Sequence, residues 1–481
     1  YYFHFRALIS IFFNTFAVDF CRSPVFMNTV ARMEAPRRIN VFVSKPMKKQ
    51  LTVIALAMLA TTGWAQSGTN SPYSQYGLGI LSDQSTGFNR GMNGLALGFR
   101  EHNQVNPANP ASYSAIDSLS FIFDAGISLQ QTNFKEGGRK LNANNADFEY
   151  VVAGLRLFRH FGMSFGLLPY SNIGYSYSTT TSVGDVNKTY SYNAYNGDGG
   201  LHQVYLGFGW EPIRNLSIGV NGSYLYGDYT RTVTNSYSNS SANALIKTYS
   251  ADVRSYKLDA GLQYTLPLNK KDQLTLGLTY GMGHKINGKP QVTIVSSNSV
   301  TAVADTITYP GAGQLDLKLK IPNTFGAGLT FNHNNKVKIG ADYSLQQWSK
   351  ISAPELVTDN SGNINYQLVK GYYKDRHQFT LGTKICPDEY GRSFLKRIRY
   401  RAGVSYTTPY YYIGSLEGPK ELSASLGFGI PIVNGYNNRS LLNISAQWVK
   451  RSAKNLITEN TFRINVGITF NEQWFAKWKV Q

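Results

Sequence analysis

Charged residues and cysteines are both scarce in this sequence. Only 16% of its 481 residues are Asp, Glu, Lys or Arg, and it has 2 Cys. Two cysteines cannot staple a chain of this size, so a disulfide scaffold is excluded. A helical bundle is disfavoured as well, because such proteins use more Ala, Glu and Lys. With 14% aromatic residues and 45 Gly, the composition predicts a large β-rich protein.

Long hydrophobic runs are also missing, apart from one short N-terminal stretch. Met47 and two lysines precede an apolar run over 51–60, and small residues lead to Ala65. This pattern predicts a secretory signal peptide at 47–65, cleaved after Ala65. We interpret residues 1–46 as an upstream leader translated from a misplaced start, with a genuine N-terminal extension as the alternative. No later run approaches the roughly 18 apolar residues that a spanning helix needs.

Neither the charge nor the histidines indicate nucleic acid, a metal or another cofactor. The net charge is +19, but part of the excess lies in 1–65, and no dense Lys/Arg stripe interleaved with aromatics follows. We therefore expect no nucleic-acid partner. The 7 His are scattered without metal-ligand spacing, and Cys386 stands alone beside a turn-forming Pro-Asp pair. No metal site and no cofactor are expected.

Alternation of apolar with small or polar residues is the strongest pattern in the chain. Over 462–470, Phe462, Ile464, Val466, Ile468 and Phe470 alternate with Arg463, Asn465, Gly467 and Thr469. A period of two is expected for strands with lipid on one side and a polar lumen on the other. The pattern predicts fourteen strands, at 119–131, 147–158, 163–178, 189–210, 214–232, 247–267, 272–294, 313–331, 336–350, 374–385, 396–407, 419–431, 440–450 and 462–470.

These strands predict an all-β protein, a transmembrane antiparallel β-barrel over 117–471 with a periplasmic tail at 472–481. Gaps after even strands are tight, whereas those after odd strands, at 132–146, 233–246, 295–312 and 351–373, are longer and polar. Outer-membrane barrels have short periplasmic turns and longer outer loops, so both termini are expected in the periplasm. A soluble secreted β-sandwich is the alternative, and it is disfavoured because these strands exceed the usual five or six residues.

Residues 66–116 do not alternate. They are rich in Gly, Pro and Asn, together with aromatic residues and Leu. A barrel of this strand number has a lumen that is either filled or left open. We therefore expect 66–116 to form a compact N-terminal hatch inside the barrel.

Several motifs resemble those of the FadL family of outer-membrane transporters, and they occur in the family's order. They are Tyr76-Gly77-Leu78-Gly79, Asn106-Pro107-Ala108, the stretch 319–325, Ala341-Asp342-Tyr343 with Gln347-Trp348-Ser349, and the stretch 400–409. The resemblance implies a hatch-plugged barrel in the bacterial outer membrane that admits hydrophobic small molecules passively, such as long-chain fatty acids or aromatic hydrocarbons. It implies a lateral exit through the wall, contact with outer-membrane lipid, insertion by the barrel-insertion machinery, and a monomer.

Five charged residues are predicted by the alternation to point into the lumen: Lys338, Asp342, Arg399, Arg401 and Arg463. The cations could bind the carboxylate of a fatty acid. The favoured interpretation is that these charges pair with one another or with the hatch, because a buried charge needs a partner. For the hatch residues Gly77, Gly79, Asn106, Pro107 and Ala108, a role in backbone geometry is favoured over ligand contact.

Further hypotheses each rest on a single feature. Some FadL-like barrels serve type IX secretion as shuttles or anchors, so a secretion or structural interaction role is the alternative function.

Catalysis is not expected, since the elbow-like Gly-Met-Ser164-Phe-Gly lies in an alternating run. Pro169 could interrupt a strand at a lateral opening. The basic group Lys384, Arg392, Lys396 and Arg397 predicts a solvated, partly anchoring face.

Overall fold

The computed structural model describes residues 68–183, 189–298, 300–301, 303–311, 317–358, 361–434 and 437–473. The predicted leader, the signal peptide and residues 474–481 lie outside these ranges. No helix within the described residues is long and apolar enough to cross a membrane.

Fourteen antiparallel strands form one closed barrel, as predicted. They are β1 (Ser120–Glu136), β2 (Arg139–Phe158), β3 (Phe161–Val183), β4 (Thr189–Ile213), β5 (Leu216–Tyr237), β6 (Ala244–Pro267), β7 (Asp272–Gly281), β8 (Thr324–His333), β9 (Val337–Gln346), β10 (Arg376–Ile385), β11 (Arg399–Thr407), β12 (Lys420–Asn434), β13 (Asn437–Ser452) and β14 (Thr458–Gln473). Each strand pairs with the next, and β14 pairs with β1 from Gln473↔Ser120 to Thr458↔Lys135. Closure joins the first strand to the last, so the sheet has no free terminal strand in the lipid, where backbone groups have no other partner.

The two faces of the wall differ in chemistry. On β10 and β11 the large apolar side chains Phe379, Leu381 and Val404 point outward and are about half exposed, at 51%, 57% and 48%. Arg399 and Arg401 alternate with them and are buried, as are many small hydroxyl side chains of other strands. The outer face is therefore an apolar belt suited to lipid, and the chain is a transmembrane barrel.

One end of the barrel carries tight turns. Two residues join β2 to β3 and β4 to β5, and His160 and Asn215 there have φ of 64° and 70°. Asn tolerates this left-handed region better than most residues do. The link from β10 to β11 is longer and contains a short helix, Phe394–Arg397.

The opposite end departs from the predicted boundaries. Residues 132–146 are mostly strand, because β1 and β2 continue to a two-residue turn at Gly137-Gly138. The short strand Gln291–Ser297 pairs with the loop-end half of β6 and with Ala304–Tyr309. Alternation did not reveal these parts, since water bathes both faces of a strand beyond the membrane. Similarly, β14 continues to Gln473, past the predicted start of the tail.

An aromatic and aliphatic core fills the loop end of the barrel. It joins strand residues such as Ile173 and Tyr229 to loop residues such as Trp348, Tyr373 and Tyr410. Two short hairpins, Ala353–Thr358 with Ile364–Val369 and Tyr412–Ile413 with Leu416–Glu417, lie in the loops at this end. We call this group of side chains the outer aromatic core.

The apolar belt predicts that an added charge destabilises the barrel more near the middle of a strand than near its end. Leu381→Arg places a cation near the middle of a ten-residue strand, and we expect a loss of about 2–4 kcal/mol in the free energy of unfolding from lipid bilayers. The control Tyr190→Arg also lies on an exposed face but near the far end of β4, where about 0–1 kcal/mol is expected. Equal losses in urea titrations would contradict the position of the belt.

Candidate functional site

The N-terminal segment, residues 68–116, occupies the interior of the barrel. It contains the 3-10 turns Pro72–Gln75 and Pro110–Ala115, the short strand Ile80–Leu81 and the helical turn Gly87–Arg90. Its backbone lies directly against glycines of the wall. A Cβ added at Gly162, Gly277 or Gly403 would come within 2.0, 1.9 or 2.3 Å of the carbonyl oxygens of Tyr113, Leu97 and Met92 respectively. These glycines are required because a side chain there would displace the segment.

A buried carboxylate holds the middle of the segment. Glu101 accepts hydrogen bonds from Lys338 Nζ at 3.0 Å and from Lys384 Nζ at 2.9 Å. All three side chains are buried. Lys338 therefore points inward as predicted and pairs with the segment. Lys384 does the same, so it is not part of the solvated basic face predicted for it.

Asp342 binds the backbone of the same segment. Its Oδ2 accepts hydrogen bonds from the amides of Ala96 and Leu97 at 2.7 and 2.8 Å. Asn93 Nδ2 donates to the hydroxyls of Ser405 on β11 and Ser423 on β12. The segment is thus attached to three strands of the wall.

The predicted hatch motifs have structural contacts. Asn106 Nδ2 donates to Ala96 O at 2.7 Å and closes a turn of the segment, Pro107 O accepts from Asn221, and Ala108 lines a small cavity. Gly77 and Gly79 have φ of +58° and +92°. The Tyr410 hydroxyl accepts from the amide of Leu78 at 3.1 Å and donates to Gly79 O at 2.5 Å.

The three predicted arginines lie at separate places on the inner wall. Arg399 forms an ion pair with Glu389 close to the tight turns. Arg401 donates to Asn443 Oδ1 at 2.7 Å. Arg463 donates to Gln130 at 3.2 Å and to Gln447 at 3.4 Å. The structure therefore does not gather the five predicted charges into one site.

A second charged group in the lumen was missed by the sequence analysis. Arg90 pairs with Glu149 at 2.7 Å, and Arg451 contacts Glu421 at 2.7 Å and Glu459 at 3.7 Å. Ser71 Oγ also donates to Glu459 at 2.5 Å. These groups border a cavity of about 50 Å³. Glu421 lies two residues before inward Ser423, so the alternation could have shown that its side chain points inward. Arg451 lay past the predicted strand end.

The wall is interrupted between β2 and β3. The ladder joins them only from Val151↔Leu167 to Phe158↔Phe161. Beyond Pro169, which has no amide hydrogen, Ser171 and Asn172 of β3 pair with Leu81 and Ile80 of the segment instead. The pairing of β3 with β4 also shifts in register at this proline. We call this place the wall gap.

The first described residue lies at the wall gap. Gly68 is beside Asp147 of β2 and Asn172 of β3, near the middle of both strands. By contrast, β14 ends at the tight-turn end. The orientation of the barrel in the membrane and the periplasmic position of both termini stay predictions.

Ser164 of the elbow-like motif is a structural residue. It is buried within β3, its hydroxyl donates to Ala153 O at 2.9 Å, and the Tyr205 hydroxyl lies 2.8 Å away. The strand continues through it, so the strand-turn-helix of a nucleophile elbow is not formed. Within the described ranges, no group of three or more His, Cys, Asp or Glu could hold a metal ion.

A family model matches residues 47–481 of the chain, and its description is BamG. The chain belongs to the BamG family. No curated protein matches it.

Solved structures share the fold of this BamG-family barrel at low sequence identity. The CymD monoaromatic hydrocarbon channel is 14% identical, with 84% of this chain and 99% of that chain covered and a TM-score of 0.53. The Pseudomonas putida toluene transporter TodX is 13% identical, covers 82% and 100%, and has a TM-score of 0.55. A Pseudomonas aeruginosa FadL homologue is 15% identical, covers 81% and 99%, and has a TM-score of 0.54. The predicted resemblance to FadL-type barrels is confirmed, and the fold is that of bacterial outer-membrane channels.

Buried ion pairs attach the segment of this BamG-family barrel to the wall at Arg90 and Glu101. We expect Glu101→Gln to lower the free energy of unfolding by about 3–5 kcal/mol, because it leaves two buried ammonium groups without a carboxylate. The same change should speed proteolysis within 68–116. Urea titration and mass mapping of the cleaved sites measure both effects.

The matched control is Glu417→Gln in an outer hairpin. A hydrogen bond from half-exposed Lys374 lowers the pKa of Glu417 there, and an exposed pair contributes under about 1 kcal/mol. Adding Lys338→Met and Lys384→Met to Glu101→Gln should recover much of the loss, since the unpaired charges are removed. Similar small losses for Glu101→Gln and Glu417→Gln would contradict the anchoring role.

Proposed function

We propose that this BamG-family barrel admits hydrophobic small molecules through the outer membrane and releases them sideways at the wall gap. The observation that carries the proposal is the replacement of the β2–β3 ladder by Ile80–Leu81 of the segment. A two-residue pairing holds far less strongly than the long ladders of the rest of the wall. The wall gap is therefore the place where the barrel opens at least cost.

The surroundings of the wall gap favour a sideways route. On the loop side it borders the outer aromatic core, which includes Leu78, Ile173 and Tyr175 and is packed by Leu81. The charged cavity with Asp83, Asp147 and Arg463 also borders the wall gap, since Ile80 and Leu81 line it as well. Moving an apolar molecule past charged groups would cost desolvation without compensation. A path from the outer aromatic core directly into lipid avoids that cost.

We further propose that uncharged aromatic hydrocarbons fit this route better than fatty acids. Tyr rings dominate the outer aromatic core, with Tyr177 and Tyr195 stacked at 4.8 Å. Lys338 and Arg399, for which carboxylate binding was the less favoured interpretation, are already engaged with Glu101 and Glu389. The toluene and monoaromatic hydrocarbon channels of the same fold are consistent with this substrate class.

A disulfide across the wall gap tests the route. Leu81 and Ser171 are direct partners, so Leu81→Cys with Ser171→Cys in a Cys386→Ser background can lock the segment to β3. We expect the oxidised protein to lose at least tenfold in the rate of toluene entry into proteoliposomes or cells. Reduction should restore that rate.

The control disulfide joins two neighbouring strands far from the wall gap. Ala402 and Leu426 are partners on β11 and β12 and face outward, so their cysteine pair should leave entry unchanged when oxidised. If the lock at the wall gap does not slow entry, the sideways route is wrong. If the unlocked barrel admits no more toluene than empty liposomes, the uptake function itself is wrong.

A role in barrel assembly is the second candidate function. The BamG family model matches the whole of 47–481, and the family's name points to the barrel-assembly machinery. The ion pairs that hold Glu101 and Arg90 inside the wall also suit a permanently plugged scaffold. A secretion role of the type IX kind stays a prediction.

Depletion of the protein from its cells separates the two candidates. If it serves assembly, the amounts of unrelated outer-membrane barrels should fall at least twofold, and tagged protein should co-purify with the central assembly barrel. A tagged FadL-type barrel from the same cells controls for incidental capture. Unchanged barrel amounts together with slowed hydrocarbon entry would reject the assembly role.

A further inference from the structure

The loop 386–398, between β10 and β11, stands out at the tight-turn end because it is longer than the other turns there. The amide of Cys386 donates to Lys336 O at 2.7 Å, which ties the loop to the neighbouring turn. The amide of Asp388 donates to Lys396 O at 3.0 Å and closes the loop on itself. These two hydrogen bonds tie the start of the loop both to a neighbouring turn and to Lys396.

This loop presents large apolar side chains to its surroundings. Tyr390 is 81% exposed, Leu395 64% and Phe394 48%. An apolar patch held outward in this way indicates a surface that something else covers.

Three cations flank the apolar patch. Arg392, Lys396 and Arg397 form no ion pair with any residue in the described part of the chain. The acidic residues of the loop are already engaged, since Glu389 pairs with Arg399 and Asp388 accepts from the amide of Tyr390. The loop therefore presents a positive surface next to an apolar one.

The patch is continuous with the lipid-facing belt. The hydroxyl of Tyr400 donates to Leu395 O at 3.1 Å. Tyr400 alternates with inward Arg399 and Arg401, so it faces outward, and its ring lies edge-on to Phe428 at 5.9 Å. Ile385, at the start of the loop, is 41% exposed on the same face. The loop thus lies at the rim beside the lipid and not across the mouth of the lumen.

We propose that the loop 386–398 is a membrane-anchoring site that binds anionic phospholipid in the leaflet at the tight-turn end. Phe394 and Leu395 enter the border of the acyl chains, where amphipathic segments insert their apolar residues. Arg392, Lys396 and Arg397 contact the lipid phosphates, to which guanidinium and ammonium groups donate charge-assisted hydrogen bonds. The proposal rests on the transmembrane position of the barrel and is independent of what the barrel transports or assembles.

The insertion of the loop is tested with an environment-sensitive fluorophore. Leu395→Cys in a Cys386→Ser background is labelled with NBD and reconstituted as the intact barrel into bilayers with and without about 30% phosphatidylglycerol. We expect blue-shifted emission and strong quenching by brominated lipid. The control label at Lys270→Cys, in an exposed turn at the same end, should stay in water. Water-like emission at both positions would overturn the proposal and leave the patch to a protein partner.

Headgroup recognition is tested separately by charge removal. Native mass spectrometry with phosphatidylglycerol should show weaker retention for the triple variant Arg392→Ala, Lys396→Ala and Arg397→Ala, by about fivefold for each cation. The control removes the same number of exposed cations from neighbouring turns: Lys270→Ala, Lys271→Ala and Lys336→Ala. Equal retention in the two triple variants would overturn the assignment of the lipid site to this loop.

Discussion

The enclosed volume is the constraint on which the rest of this structure depends. A barrel of about eight strands is filled by its own side chains, but fourteen strands enclose more space than the wall can fill. The inner face of that wall carries buried charges such as Lys338 and Arg401, and each of them needs a partner. The N-terminal segment meets both needs at once, because it supplies volume and also supplies Glu101.

The buried ion pairs affect the position of the segment and the stability of the fold to different degrees. A buried ion pair contributes little net stability over well-packed apolar groups, yet breaking it by removing one partner is costly. Glu101 with Lys338 and Lys384 therefore selects one position of the segment more than it strengthens the fold. The wall glycines act in the same direction, since Gly277 and Gly403 allow close approach only where the segment's backbone lies. One position of the segment is favoured over any displaced one, except near Ile80–Leu81, where the attachment is slight.

The number of strands and the face of the wall on which each side chain lies could be predicted from the sequence, because lipid imposes a period of two on every spanning strand. Lys338 and Asp342 were placed on the inner face by that parity alone. Their partners could not be predicted, because the contact between Glu101 and Lys338 joins positions 237 apart and leaves no local pattern. The outer halves of β1 and β2 were missed where water on both faces removes the alternation. Pro169 did indicate the interrupted ladder, since a missing amide hydrogen is a local property.

The hydrogen bond between Ser71 and Glu459 joins residues 388 positions apart, and it connects the start of the described chain to its last strand. The segment is synthesised before any strand, but its contacts reach β14 as well as β2 and β9. Its position in the lumen is therefore complete only once β14 has been laid against β1. Chains with such distant contacts fold slowly. Until closure, the segment and the strands lack their final partners, so the unclosed chain is the form of this protein most exposed to aggregation.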